Sequence, residues 1–294
     1  MQPAVRSRRW IALAALAASG MAALAGSQSF ESRQRQWIFQ PSKDTWWAGA
    51  DAAEGMAPVW IDFQSKVSAG PARLHGLWLG HGDIEADADA PVLLYLHGAR
   101  WNVTGSAGRM RRMHALGFSV LGIDYRGFGE SSDGSGDQSP SEARAYEDAR
   151  AAWAWLAEHH PRQRRYIFGH SLGSAIGVHL ASEVDDASGL IVEGSFPSIA
   201  AVVSTFRWGW LPVSALITQR FDAESRIAKV KAPLLVVHGS DDRLIPSSLG
   251  RALYDKAPGP KRFVLVEGGS HHSTHSIGER QYGAALHDLF GPRL

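Results

Sequence analysis

The chain has 294 residues, of which 45% are hydrophobic and 20% are charged, so it is long and apolar enough to bury a large core. Its formal net charge of +1, with no basic run beyond the extreme N-terminus, argues against a nucleic-acid partner. The absence of cysteine excludes disulfides, a thiolate nucleophile and cysteine-ligated zinc.

The first 26 residues have the composition of an export signal. Arg6, Arg8 and Arg9 precede an uncharged stretch rich in alanine and leucine, residues 10–26. We predict that residues 1–26 form either a cleaved signal peptide or a retained membrane anchor. The protein is therefore expected to be exported, and to be either periplasmic or anchored on the outer side of the membrane. A retained segment would associate the protein with the membrane.

Residues 27–57 show no clean period of 2 or 3.6, which predicts an irregular N-terminal segment. Its tryptophans, Trp37, Trp46 and Trp47, fit either a membrane-interface belt behind an anchor or side chains folded back onto the core. The globular domain is predicted to occupy residues 58–294.

From residue 58 onward, strands alternate with helices. Two strands, 59–63 and 74–79, bracket a predicted turn at Gly70 and Pro71 and should pair antiparallel at a sheet edge. The apolar run 92–96 is typical of a strand covered on both faces. Further strands are predicted over 119–125, 166–168, 190–193, 234–238 and 263–267, and helices over 110–116, 174–181, 247–257 and from 279. This order predicts an α/β fold, a mostly parallel sheet flanked by helices.

One further helix is predicted by a capping box. Ser139 and Glu142 have the spacing of the box, and Pro140 lies in the first turn. The helix that follows should bury one apolar face, formed by Ala145, Ala149, Trp153 and Leu156.

The alternation stops over residues 196–228. This stretch contains Phe206, Trp208, Trp210, Leu211, Leu216 and Ile217, with Pro212 in the middle. It is too apolar for a solvated loop, and we predict that it forms a short helical cap, which covers the functional site. A pair of additional core helices is the alternative.

The pentapeptide 169–173, Gly-His-Ser-Leu-Gly, lies between a predicted strand and a predicted helix. A serine at such a sharp turn has an exposed hydroxyl, and its glycine neighbours let strand and helix pass closely. We therefore interpret Ser171 as a nucleophile. The alternative is a chance pattern in a glycine-rich chain.

A serine nucleophile needs a base, and the base needs an orienting carboxylate. On this fold the two should follow the serine in the order acid, histidine, on loops at the carboxyl ends of later strands. We select Asp242 and His271, and keep their neighbours Asp241 and His272 as alternatives. Glu193, after an earlier strand, is a third candidate acid.

Two backbone N–H groups are predicted to stabilise the negative charge that develops on the attacked oxygen. One belongs to Leu172, directly after the nucleophile. The other is assigned to Ala99, in the loop that leaves strand 92–96. Because a backbone group donates the hydrogen bond, an alanine side chain at this position loses nothing.

These motifs resemble those of α/β-hydrolases of the serine aminopeptidase-like group, which contains lipases, acylglycerol hydrolases and thioesterases. The matching segments are His97-Gly98, 124–131, 169–173, 238–242 and 268–271. The resemblance implies the α/β-hydrolase fold and a Ser-His-Asp triad. Relatives often carry asparagine where Ala99 stands. Arg126, within the second matching segment, is interpreted as structural.

The predicted function is a serine hydrolase that cleaves a small-molecule ester or thioester through Ser171, His271 and Asp242 and an acyl-enzyme. No cofactor is implied, and no metal, since no carboxylate completes a known ligand spacing with His271, His272 and His275. An aminopeptidase is the alternative, and it would need an acid such as Glu193 to hold the substrate amine. A non-catalytic binding protein on the same fold is the alternative of another class.

Overall fold

The computed structural model describes residues 30–44, 47–81, 90–134, 139–206 and 216–291. Eight strands form one sheet in the order β1-β2-β4-β3-β5-β6-β7-β8. The strands are β1 (Ala57–Ser65), β2 (Gly70–Leu79), β3 (Val92–Leu96), β4 (Ser119–Ile123), β5 (Arg165–His170), β6 (Ala187–Glu193), β7 (Leu234–Gly239) and β8 (Lys261–Val266). Only β2 pairs antiparallel with its neighbours, so the predicted mostly parallel sheet is confirmed.

Helices cover both faces of this sheet. They are α1 (residues 30–39), α2 (Trp47–Ala53), α3 (Ala107–Ala115), α4 (Glu142–His159), α5 (Leu172–Ala181), α6 (Ile199–Ser204), α7 (Glu224–Ile227), α8 (Ser247–Lys256), α9 (Thr274–Ile277) and α10 (Glu279–Phe290). In β3, Val92, Leu94 and Leu96 join the core beneath α4 and α5. Leu93 and Tyr95 join the core beneath α3 and α10. Because each face has its own core, every residue of β3 is buried and the strand is apolar throughout.

The predicted edge hairpin is present, with β1 and β2 antiparallel and β1 at the sheet edge. Its turn is shifted from the predicted position. Gly70 and Pro71 are the first residues of β2 and pair with Ser65 and Gln64, so residues 66–69 form the turn. Only β1 flanks β2 at this point, a position where the missing N–H of proline is tolerated.

Helix α4 begins two residues later than the capping box predicts. Its N-cap is Ser141, whose hydroxyl oxygen accepts a hydrogen bond from the N–H of Arg144 at 3.3 Å, and Ser139 lies outside the helix. The carboxylate of Glu142 accepts instead from the backbone N–H of Phe221, at 2.9 Å. The predicted apolar face is confirmed, because its four members are buried: Ala145, Ala149, Trp153 and Leu156.

The prediction of an irregular segment over 27–57 is wrong where α1 and α2 lie. No apolar period reveals α1, because Phe30 and Trp37 on this helix are exposed and only Ile38 and Phe39 at its end are buried. Trp46 and the side chain of Trp47 lie outside the described residues.

The stretch 196–228 contains two short helices with different surroundings. Helix α6 lines the cavity described below, as a cap would, whereas α7 buries Ile227 against the main core. The cap over the whole stretch stays a prediction. Four residues cited in its prediction lie outside the described part of the chain: Trp208, Trp210, Leu211 and Pro212.

The predicted export signal, residues 1–26, also lies outside the described residues. Within the part of the chain that the structure describes, no helix has both the length and the apolar character needed to cross a bilayer.

Arg126 lies in a buried ionic network that joins the loop after β4 to α4. Its Nε donates to Asp148 at 2.6 Å, its Nη2 donates to Glu147 at 2.6 Å, and its Nη1 donates to the hydroxyl of Ser65 at 2.7 Å. Asp148 is fully buried and also accepts from the backbone N–H of Arg126 at 2.8 Å. These contacts give Arg126 a structural role.

We expect Arg126→Met to lower the free energy of unfolding by about 3–5 kcal/mol, because it leaves the buried carboxylate of Asp148 without its counter-charge. Urea unfolding followed by circular dichroism measures the change. The control is Arg73→Met, since Arg73 pairs with Asp62 on the surface and its loss should leave stability nearly unchanged. Equal stability of the two variants would contradict this account.

Candidate active site

Ser171 occupies a sharp turn between β5 and α5. Its backbone has φ 53° and ψ −119°, a strained conformation for a residue with a side chain. A Cβ at Gly169 would stand 2.3 Å from the carbonyl oxygen of Gly173, and a Cβ at Gly173 would stand 2.1 Å from that of Leu96. Both positions therefore require glycine, and the pentapeptide forms the turn that its sequence predicts.

A chain of hydrogen bonds joins Ser171, His271 and Asp242. Nδ1–H of His271 donates to the Asp242 carboxylate at 2.7 Å, because an ionised carboxylate can only accept. Nε2 of His271 therefore accepts, from the Ser171 hydroxyl at 3.0 Å. All three residues are less than 10% exposed. The structure thus brings together the three residues that were selected from the sequence.

Asp242 is held in a fixed orientation and stays ionised. The backbone N–H groups of Leu244 and Ile245 donate to its Oδ1 at 3.0 and 2.8 Å. Burial acts to raise the pKa of Asp242, but hydrogen bonds from His238 and His271 outweigh it and hold this pKa well below its ordinary value. An acceptor-only carboxylate fixes the His271 tautomer, and the base therefore faces Ser171.

Asp241 and His272, the alternatives to Asp242 and His271, have other surroundings. Asp241 is exposed, and its carboxylate accepts from the hydroxyl of Ser240. The ring of His272 stands edge-on to that of His271, with 5.3 Å between the centroids, and lines the cavity. Neither side chain joins the hydrogen bonds between Ser171, His271 and Asp242.

The loop after β3 lies close to Ser171. A Cβ on Gly98 would stand 3.0 Å from that of Ser171, and the next residue, Ala99, lines the same cavity as Leu172. Among the described residues, no acceptor pairs with the N–H of Ala99 or of Leu172. Both predicted donors are therefore free for a ligand beside the serine.

Three features of this loop are not evident from the sequence. Arg100 and Trp101 both adopt positive φ, 73° and 60°, so the loop turns sharply after Ala99. The N–H of Arg100 donates to the carbonyl oxygen of Phe39 at 2.8 Å, which fastens the end of α1 to the loop. The buried carboxylate of Asp124 accepts from the N–H of Val103 at 2.6 Å, which holds the end of this loop.

Ser171 opens into a cavity of about 750 Å³. Part of its lining, which we call the apolar wall, includes residues of α6; its members are Ile38, Phe196, Ile199, Val202, Val203 and Phe206. Another part, which we call the polar wall, consists of Ser106, Arg109, His170, His272 and His275. In the described part of the chain, no aspartate or glutamate lines this cavity.

The histidines of the polar wall are neutral near pH 7. Burial is the main cause in each case: it lowers the pKa of His275 to about 3 and that of His170 well below its ordinary value, and the Arg109 charge adds to both effects. Within the described residues, no three side chains of the metal-binding types are arranged to hold an ion.

Comparison with protein families assigns the chain. A family model described as serine aminopeptidase, S33, matches residues 87–221 and 204–276, which is more than half of the chain. The chain belongs to this family. It is therefore a hydrolase of the α/β-hydrolase class, as its motifs predict.

Relatives of this S33-family hydrolase include esterase-like and lipase-like proteins. An uncharacterized protein of Mycobacterium tuberculosis is 33% identical over 92% of this chain and 90% of its own length. The lysophosphatidylserine lipase ABHD12 of Danio rerio is 30% identical over 57% of this chain and 47% of its own length. The Pyrococcus furiosus esterase Pf2001 shares the fold, with a TM-score of 0.64, 18% identity, and coverage of 85% of this chain and 99% of its own.

In this family member, the Nδ1 of His271 pairs with Asp242 and not with Glu193, the third candidate acid. Glu193 is 1% exposed at the end of β6, where Arg109 Nε donates to it at 3.1 Å and the Tyr282 hydroxyl also donates to it. Arg109 Nη2 reaches on to the carbonyl oxygens of His271 and His272, at 3.3 Å each. Glu193 therefore holds Arg109, and Arg109 supports the loop that carries the base.

His170 adds a second support for the same loop. Its Nε2 lies 3.2 Å from the carbonyl oxygen of His271 and therefore donates to it. The sequence does not reveal this group, because Arg109, Glu193 and Tyr282 are separated by more than 80 positions. The only sequence signal was the position of Glu193 at the carboxyl end of a strand.

Proposed function

We propose that the protein is a serine esterase, which cleaves a carboxylic ester or thioester through an acyl-enzyme on Ser171. The observation that carries the proposal is the hydrogen-bonded chain from Ser171 through His271 to Asp242, which opens into a largely apolar cavity. A hydroxyl, an accepting imidazole nitrogen and an orienting carboxylate are the groups that nucleophilic acyl transfer needs.

In the first half-reaction, Ser171 Oγ attacks the substrate carbonyl while Nε2 of His271 takes its proton. The Asp242 carboxylate stabilises the imidazolium that forms, and the N–H groups of Ala99 and Leu172 stabilise the oxyanion. His271 then gives the proton to the departing alcohol or thiol. In the second half-reaction, water repeats the attack with His271 as base and releases the acid.

The two cavity walls suggest how an ester is oriented. The apolar wall of α6 suits an acyl chain of short to medium length. The polar wall offers neutral imidazoles, and the charge of Arg109 is compensated by Glu193. This wall suits an uncharged, polar alcohol portion. The lipase named among the relatives supports an acyl ester as the substrate class.

The cavity does not favour the aminopeptidase alternative. An enzyme that holds a free substrate amine needs an exposed acid near the nucleophile, and Glu193 was the candidate. That carboxylate is buried and bound by Arg109 and Tyr282. Among the described residues, no aspartate or glutamate lines the cavity.

The test is hydrolysis of p-nitrophenyl esters of increasing acyl length, beside a thioester and an aminoacyl anilide, with Ser171→Ala as the blank. We expect an optimum at one ester length and no rate in the blank. Cleavage of the anilide alone would replace the proposal with an aminopeptidase. Failure of a fluorophosphonate probe to label the folded protein would favour a non-catalytic binding protein.

The acyl assignment predicts a change of chain-length preference. Val202 on α6 lines the cavity, so Val202→Trp should shorten the apolar wall and lower the rate ratio of long to short esters by at least about tenfold. The same ester series measures it. The control is Val67→Trp, at an exposed valine in the β1–β2 turn. An unchanged ratio in the Val202 variant would place the acyl chain elsewhere.

We also propose that the protein acts outside the cytoplasm. The support is the sequence of residues 1–26, with three arginines before an uncharged stretch. Cell fractionation with N-terminal sequencing of the recovered protein tests this localisation. A full-length soluble protein in the cytoplasm would contradict it.

A further inference from the structure

Exposed apolar side chains lie at the mouth of the cavity and along the neighbouring helix α1. We call six of them the rim: Phe30, Trp37, Trp101, Phe206, Leu216 and Leu244. Each is between 39% and 57% exposed. In the described part of the chain only four other large apolar residues are this exposed. Scattered exposed apolar residues are normal on a protein surface, but a concentration around one opening indicates an interaction site.

Four rim residues also line the cavity that contains Ser171. They are Trp37 from α1, Trp101 from the loop after β3, Phe206 after α6 and Leu244 after β7. Four separate parts of the chain therefore place an apolar side chain at the same opening. Any amphiphile that reaches Ser171 passes between them.

The other two rim residues, Phe30 and Leu216, extend the rim along α1. Phe30 lies seven positions before Trp37 and shares one face of the helix with it, with Gln34 between them. The side chain of Gln34 donates to the carbonyl oxygen of Leu216 and accepts from the N–H of Thr218, at 2.5 and 3.0 Å. Leu216 is thus fixed beside the exposed face of α1.

We propose that the rim docks onto the surface of a lipid bilayer, with the cavity mouth facing the lipid. Tryptophan and phenylalanine are residues that settle at the boundary between lipid and water. The chain that precedes the rim has matching chemistry, since only three residues separate the uncharged stretch 10–26 from Phe30. If that stretch is retained as an anchor, it tethers the chain next to the rim. If it is cleaved, the rim itself remains.

A lipid surface fits this position better than a second copy of the chain. A protein seated on the rim would close the opening through which a substrate reaches Ser171. A bilayer in the same place presents acyl chains to the apolar wall of the cavity. Docking is independent of turnover, but this delivery of substrate rests on the proposed esterase function.

Binding to phosphatidylcholine vesicles tests the docking, with the full chain in a Ser171→Ala background so that no turnover occurs. The rim variant is Phe30→Ser with Leu216→Ser. The control is Val67→Ser with Leu265→Ser, at equally exposed residues away from the cavity. We expect the rim variant to lose about tenfold in vesicle affinity and the control to bind normally.

A second measurement is needed because a chain that keeps residues 1–26 as an anchor would bind vesicles through that anchor, whatever the rim contributes. With Ser171 restored, a long-chain p-nitrophenyl ester in the vesicles is compared with soluble p-nitrophenyl acetate. The rim variant should lower the ratio of these rates about tenfold. Its rate on the soluble ester should be unchanged, because neither Phe30 nor Leu216 lines the cavity.

Each outcome decides one step. A drop in affinity or in the rate ratio, confined to the rim variant, supports docking. If the rim variant matches the control in both measurements, docking is overturned. A dimer that the rim variant dissociates, without a change on vesicles, assigns the surface to a second copy instead. If the soluble ester is not hydrolysed at all, the esterase proposal fails while vesicle affinity still decides docking.

Discussion

Ser171→Ala should lower kcat for the best ester by about six orders of magnitude, because it removes the hydroxyl that is hydrogen-bonded to Nε2 of His271. Removal of the serine or the histidine of such a group costs about as much as removal of the whole group, since without the serine the base has no hydroxyl to deprotonate. Rates on the p-nitrophenyl esters measure the loss, and labelling by a fluorophosphonate should vanish with it.

The control for this variant is Ser195→Ala. Ser195 is also buried near the carboxyl end of a strand, and in the described part of the structure its hydroxyl has no hydrogen-bond partner. Its removal should leave rate and stability close to those of the unmodified chain. Thermal unfolding should show that both variants are folded. Hydrolysis retained by Ser171→Ala would overturn the assignment of the nucleophile.

The parts of the site that could be predicted are encoded by local sequence. Gly169 is required by a contact with Gly173 that the strand-turn-helix itself creates, whereas Gly173 is required by the carbonyl oxygen of Leu96 on the neighbouring strand β3. The five consecutive residues nevertheless predict the turn. The positions of the acid and the base follow from the ends of two apolar strands. The choice between Asp241 and Asp242 could not be derived from spacing, since it depends on which side chain turns inward.

The parts that could not be predicted depend on distant contacts. Helix α1 exposes Phe30 and Trp37, so its sequence lacks the apolar face by which an amphipathic helix is recognised. The contact between Arg100 and Phe39, which fastens α1 beside the site, has no sequence signal. Arg109 also has no sequence signal. In the sequence it resembles an ordinary surface cation of α3, and only the folded chain brings it against Glu193 at the end of β6.

Asp242→Asn should lower kcat by about 10⁴-fold while Asp241→Asn leaves it nearly unchanged. The amide oxygen of asparagine can keep the hydrogen bonds from the N–H groups of Leu244 and Ile245. Its NH₂ group, however, would then face Nδ1 of His271 as a donor, where the carboxylate only accepted. The imidazole must place its proton on Nε2, and it can no longer accept the proton of Ser171.

Kinetics over a range of pH separate this explanation from a loss of structure. The lowered pKa keeps the Asp242 carboxylate ionised throughout an assay between about pH 5 and 9, where an ordinary aspartate is ionised as well. Protonation of Asp242 therefore does not contribute to the pH profile of the unmodified chain over this range. In Asp242→Asn, activity should recover partly at high pH, where hydroxide can replace the lost base. If Asp241→Asn shows the larger loss, Asp241 is the orienting acid and the hydrogen bond from His271 to Asp242 is not used in catalysis.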